Sequence, residues 1–136
     1  MQLGTTHTYT PLPNTGIQEC TRARVPRPKE SEKVLEAKFR KECESHGWMA
    51  LKLLPQMHRG LPDRLVLAEF GITFFAEIKT TGKKPTVLQL HCHETLRQLG
   101  FQVFVIDSSE SLEMALALMN RTVIAERIRR EEWGEL

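Results

Sequence analysis

Residues 65–68 and 72–78 form two apolar runs separated only by Glu69-Phe70-Gly71. A three-residue connection between strands is usually a type I turn followed by a left-handed residue, a position that favours glycine. Gly71 stands there, so the segment predicts an antiparallel hairpin in which Ala68 faces Ile72. Counting outward along that register sets Asp63 across from Glu77, and cross-strand partners share a face with Cβ atoms roughly 5 Å apart. Alternate residues of a strand also share a face, so Glu77 and Lys79 point one way and Ile78 the other. Two carboxylates and a lysine are therefore expected to converge.

The rest of the chain supplies elements around this hairpin. Leu35, Phe39 and Cys43 recur every four residues and Gly47 follows as a stop signal, which predicts a helix over about 30–46. Residues 48–54 read as a short strand ended by Pro55, and 55–63 as a loop. Thr86 can cap a second helix with Leu88, Cys92, Thr95 or Leu96, and Leu99 as its apolar stripe, closed by Gly100. Residues 101–106 read as another buried strand. Ser108 or Ser109 then caps a last helix running through Met114 and Leu118 toward Ile128. The order is α-β-β-β-α-β-α, and strands apolar on both faces imply a mixed sheet covered by helices.

A chain of 136 residues has room for one domain with one hydrophobic core. Its 40% hydrophobic and 26% charged residues match soluble globular proteins and argue against wholesale disorder. No apolar run approaches the roughly 18 residues that span a bilayer, and the first residues lack signal-peptide blocks, so an intracellular, cytoplasmic protein without a membrane partner is expected. Cys20, Cys43 and Cys92 have no paired spacing and read as free thiols. Residues 1–29 hold Pro11, Pro13, Pro26 and Pro28 among threonines and arginines and read as a basic arm. The net charge is only +2, yet Arg22, Arg24, Arg27 and Lys29 cluster, as do Lys79, Lys83 and Lys84. Such local patches can hold phosphates even on a nearly neutral molecule.

Two adjacent carboxylates repel and resist burial unless a cation or proton offsets their charge. A hard divalent ion bound through one or two carboxylates plus waters solves this, and magnesium prefers such open sites. A lysine beside them can steady an attacking hydroxide or charge developing on a phosphorane. Glu32 falls within the angular range of the Leu35/Phe39/Cys43 stripe, with Glu36 at its margin, and a core-facing glutamate needs a partner. The plainer meanings are acids complementing a helix dipole and polar residues ending a strand.

The run Gly60-Leu61-Pro62-Asp63-Arg64, then Phe75-Ala76-Glu77-Ile78-Lys79, then Leu88-Gln89 and residues 96–100, resembles the VRR-NUC (virus-type replication-repair nuclease) domain of the PD-(D/E)XK superfamily. The resemblance covers about residues 30–107. It implies an α/β fold, more closely an α+β mixed sheet: a restriction-endonuclease-like αβββαβ core with helices on both faces, plus a C-terminal helix and charged tail over 108–136. It implies Asp63 and Glu77 as metal ligands, the Ile78 carbonyl as another, Glu32 rather than Glu36 as the helical glutamate, Lys79 as the catalytic lysine and Gln89 as a site residue. Magnesium is the implied cofactor, with manganese able to substitute. Lys52, Arg64 and His93 join Arg22, Arg24, Arg27, Lys29, Lys83 and Lys84 as expected DNA contacts. Small stand-alone members of the family are similar to Holliday-junction resolvases that act as homodimers. A DNA endonuclease acting on four-way or other branched DNA is therefore the leading expectation, with Leu112, Leu116, Met119 and Ile128 of the last helix as a candidate dimer surface whose plainer role is to cover the sheet of its own chain.

Three other readings compete. His91-Cys92-His93 suggests zinc superficially, but neighbouring helical residues diverge by about 100° and cannot all face one ion. A non-catalytic DNA-binding or assembly module could keep the fold while losing the chemistry. Within nucleases, a nickase or a restriction-like enzyme is the alternative to branch-selective cutting.

Overall fold

The computed structural model describes residue 26 and residues 28–54 and 56–136. The elements run α1 (Glu32–Ser45), β1 (Met49–Lys52), β2 (Arg64–Leu67), a 3-10 turn (Glu69–Gly71), β3 (Thr73–Ile78), α2 (Val87–Gln98), β4 (Gln102–Ile106) and α3 (Ser109–Glu132). One four-stranded sheet has the order β1-β2-β3-β4, antiparallel across β1/β2/β3 and parallel between β3 and β4. Parallel neighbours need a crossover, and α2 provides it. No helix among the described residues is long and apolar enough to cross a membrane.

Each helix starts where a side chain can accept its free N–H groups. Ser31 accepts from Val34, Thr86 from Gln89 and Ser108 from Ser111, the last two as reciprocal capping boxes. The core lies on one face of the sheet, where Val66, Phe74, Ala76, Ile78 and Ile106 meet Leu35, Phe39 and Cys43 of α1. From α3, Leu112, Ala115, Leu116, Met119 and Val123 close the same core. The last helix is thus integral to the core. This corrects the expected dimer stripe: Leu112, Leu116 and Met119 are spent on their own chain's sheet, leaving only Ile128 of it half-exposed, while Met114 and Leu118 lie on the exposed face of the helix. Burial in a shared core removes the first three from any partner surface. Cys43 and Cys92 are free thiols; burial pushes the Cys43 thiol up to about 12, which keeps it inert.

The hairpin has the expected register, with Arg64 opposite Ala76 and the Ala68 N–H donating to the Ile72 carbonyl at 2.9 Å. Its turn differs in one respect. Gly71 is left-handed at φ 73°, but so is Phe70 at φ 61°, an uncommon conformation for a bulky side chain. The Phe70 ring packs against the core and under the Arg130 guanidinium, 4.9 Å from its centroid, while Arg127 pairs with Glu69. The end of α3 thereby holds the turn in place.

Glu30 ties three segments together. Its carboxylate accepts from Ser109 N and Oγ at the start of α3 and from Lys38 Nζ at 2.8 Å, while its backbone N–H donates to Thr81 Oγ1. Lys38 and Ser109 hold its carboxyl down at about 2. A depressed carboxyl stabilises the fold fully above its ordinary value near 4.5 and progressively less as pH falls toward about 2. Glu30→Gln is expected to lower the melting temperature at pH 7 and to flatten its dependence on pH between about 4.5 and 2, measured by thermal melts across that range.

Candidate active site

The hairpin register carries past the last ladder pair and brings Asp63 to the end of β3. Asp63 Oδ2 accepts from the Ile78 N–H at 3.0 Å. The N–H and C=O of one strand residue point to the same edge, so the Ile78 carbonyl opens on the Asp63 side as well. Glu77 is fully buried on the face opposite the core. Its Oε1 accepts from Lys79 Nζ at 2.8 Å and from Gln89 Nε2 at 2.6 Å, whereas Oε2 has no hydrogen-bond partner. Burial pushes the Glu77 carboxyl up; the Lys79 hydrogen bond pulls it part of the way back and the Asp63 charge adds to the rise. For Lys79, burial works against the charge, but the Glu77 hydrogen bond and the charges of Glu77, Asp63 and Glu32 outweigh it and raise its pKa.

Local chemistry explains how α2 delivers Gln89. The Gln89 N–H bonds back to Thr86, and its side-chain Oε1 accepts from the Thr86 N–H while Nε2 reaches Glu77. One side chain therefore closes the helix cap and the site together. Gly60 lets the preceding loop approach: a Cβ there would lie 2.6 Å from the Leu88 carbonyl oxygen, and its φ of 81° favours glycine on its own account. On the other side, the Glu32 N–H donates to Thr80 Oγ1 at 3.4 Å, and Thr81 bridges Glu30 and the Asp107 carbonyl. Thr80 and Thr81 were not singled out from sequence, since their roles depend on long-range partners that no local pattern encodes.

The structure thus brings together Asp63, Glu77, Lys79 and Gln89, with Glu32 near enough for its charge to act on Lys79. Glu36 is turned away from them and meets Lys52 and Arg64 at 3.5 and 3.6 Å. One expected DNA contact is corrected. His93 is fully buried, with Nε2 4.0 Å from Glu77 Oε2 and both ring nitrogens unpaired, so it lies behind the site and cannot meet a phosphate at the surface. Burial, then the charges of Arg97 and Lys79, hold its pKa down despite Asp63. Arg64 is 10% exposed and lies beneath α1, where it lines a pocket with Lys33, Glu36, Ala37 and Arg40. Lys29, Lys52, Lys83 and Lys84 are exposed, whereas Arg22, Arg24 and Arg27 lie outside the described residues. The expected stripe of α2 is also turned: Gln89, His93 and Leu96 face inward, and Leu88 and Leu99 are exposed.

An orphaned, buried carboxylate oxygen beside a second carboxylate and a carbonyl is a donor set that fits a hard divalent cation. Among the described residues no three His, Cys, Asp or Glu side chains gather around one point. On α2, His91 is exposed while His93 is buried, as the helical turn requires.

An αβββαβ core with Asp63 before β2 and Glu77 and Lys79 at the end of β3 is the restriction-endonuclease-like arrangement, whose PD-(D/E)XK members generally use divalent metals. No family-level sequence model matches the chain. A phage protein named "Putative nuclease p44", from Acyrthosiphon pisum secondary endosymbiont phage 1, is 44% identical over 69 residues, spanning 51% of this chain and 74% of that protein. A solved structure titled "VRR_NUC domain" superposes with a TM-score of 0.60 and 28% sequence identity, covering 65% of this chain and 97% of its own. The chain belongs to the VRR-NUC family.

Proposed function

We propose that this chain is a magnesium-dependent DNA endonuclease, with manganese able to substitute, that acts as a homodimer on four-way or other branched DNA. The observation that carries the reading is Glu77: a fully buried carboxylate with an unpaired oxygen, Asp63 beside it and Lys79 2.8 Å away. The relationship to a phage protein named as a nuclease supports it. Asp63, Glu77 and the Ile78 carbonyl, with Glu32 as a further donor, would hold the magnesium ion, which supplies Lewis acidity toward a phosphodiester. Lys79 places a cation where charge builds on the phosphate oxygens as water adds to phosphorus and the P–O ester bond breaks. Gln89 fixes the Glu77 carboxylate, and the burial of Glu77 keeps bulk water from screening these charges. Such a reading places the protein inside the cell, where its DNA substrate lies.

Symmetric cutting of a four-way junction needs two active sites, and a domain this small has one, so a two-fold dimer follows. The experiment is a panel of linear, flap and four-way DNA incubated with the chain and magnesium, paired with sedimentation at micromolar concentration. Preferential paired cuts in the four-way substrate by a dimeric species are expected. Equal cutting of all three substrates would favour a general nickase or restriction-like enzyme, and monomer alone, with and without DNA, would defeat the dimer.

A further inference from the structure

Lys33, Glu36, Ala37 and Arg40 recur at three- and four-residue spacing along α1, so they form one wall, and Arg64 of β2 closes a pocket of about 190 Å³ beneath them. We propose that this pocket is an anion subsite for a phosphate group of the DNA strand, separate from the catalytic carboxylates. The proposal rests on the nuclease reading and deepens it by assigning Lys33 and Arg40, which neither the motif nor the family relationship points to.

Charge and satisfaction both favour an anion there. Lys33, Arg40, Lys52 and Arg64 surround a single carboxylate, Glu36. Arg40 also meets Glu44 at 3.7 Å, but both side chains are more than half exposed, and such pairs are weak. Arg64 is the informative member. Its guanidinium is nine-tenths buried, its Nε has no hydrogen-bond partner, and its nearest carboxylate oxygen lies 3.6 Å from Nη2, beyond hydrogen-bonding length. A buried guanidinium is stable when it makes charge-assisted hydrogen bonds, and the planar fork of arginine suits phosphate oxygens. Glu36, itself part of the pocket wall, meets Arg64 and Lys52 only loosely, at 3.6 and 3.5 Å. A cation would be repelled, and the residues lining the pocket include no aromatic ring on which a base could stack, so a phosphate group is the ligand that matches.

Position links the pocket to the chemistry. Arg64 follows Asp63 directly, and successive strand residues point to opposite faces. The pocket therefore opens on the α1 side of the same sheet end that carries Asp63 on its other side. A strand of DNA crossing that end would present one phosphate to the carboxylates and another to Lys33 and Arg40.

The test measures binding of the full chain, in chelator, to fluorescent DNA over a range of salt, for wild type, Lys33→Ala, Arg40→Ala and the double variant. Lys41→Ala, an exposed charge on the same helix outside the pocket, is the control for net charge alone. Each pocket variant is expected to lower affinity about tenfold and to reduce the slope of log K against log salt by roughly 0.9 on duplex, with inorganic phosphate competing more weakly against the double variant than against wild type. Lys41→Ala should do much less. A loss confined to 5′-phosphorylated DNA identifies a terminal phosphate as the occupant, and an equal loss without it an internal one; both support the subsite. Slopes unchanged by the pocket variants, or matched by Lys41→Ala, overturn it. Intact cleavage with unchanged slopes defeats the subsite alone, whereas altered slopes in a chain that never cuts DNA defeat the nuclease reading and leave an anion site.

Discussion

Asp63→Asn and Glu77→Gln are each expected to lower magnesium-supported DNA cleavage by about a thousandfold or more while the chain stays folded. Each keeps its side chain's shape and removes one anionic donor from the set that would hold the ion. Lys79→Ala should fall by a comparable factor for a different reason: it keeps both carboxylates, so metal binding survives and the loss appears in turnover. Calorimetric metal titration separates the two classes. Because burial, and then Asp63, drive the Glu77 carboxyl up, a neutral amide there relieves an unfavourable charge, and melting without metal should be unchanged or higher. DNA binding in chelator should persist in all three, since phosphate contacts elsewhere supply most of the affinity.

The second large effect is on the fold. Phe74 is fully buried in β3, with Trp48 and Phe104 each 6.2 Å away between ring centroids. Phe74→Ala removes a ring from between α1, α3 and the sheet, where β3 cannot move without displacing Glu77 on its other face. The expected cost is roughly 3–5 kcal/mol. Against a total of about 5–15 kcal/mol for a domain, that is enough to unfold part of the population at 37 °C. Denaturant unfolding followed by tryptophan fluorescence measures it. A loss under about 1 kcal/mol would mean that the two aromatic neighbours close the space, contrary to the packing described.

How far the sequence could be read followed the range of the forces involved. The hairpin register was legible because a three-residue turn with Gly71 permits one pairing, and a shift by one residue would bury the wrong face. From that register alone, Asp63 could be set beside Glu77. The cap at Thr86, the choice of Ser108 or Ser109 for the last helix, settled at Ser108, and the stripe Leu35/Phe39/Cys43 were legible for the same local reasons. The inward face of α2 was not. Its apolar residues suggested Leu88 and Leu99, yet the helix turns Gln89 and His93 toward Glu77, because it packs against a polar site rather than against the core. The same limit applies to α3, where Leu112, Leu116 and Met119 are as apolar as Met114 and Leu118. Only the position of the sheet decides which set is covered. Arg64 was expected only as a DNA contact, with no sign that its side chain would be buried. Its burial depends on α1 lying over β2, and the Glu30 tie to Ser109 spans 79 residues, so neither leaves a local trace.

The most direct measurement incubates purified wild type and Glu77→Gln with labelled linear and four-way DNA, in magnesium and in chelator, and follows strand cleavage on a denaturing gel. Wild type is expected to cut in magnesium and not in chelator, and Glu77→Gln in neither. Cutting by Glu77→Gln at near the wild-type rate, or wild-type cutting that persists in chelator, would contradict that expectation.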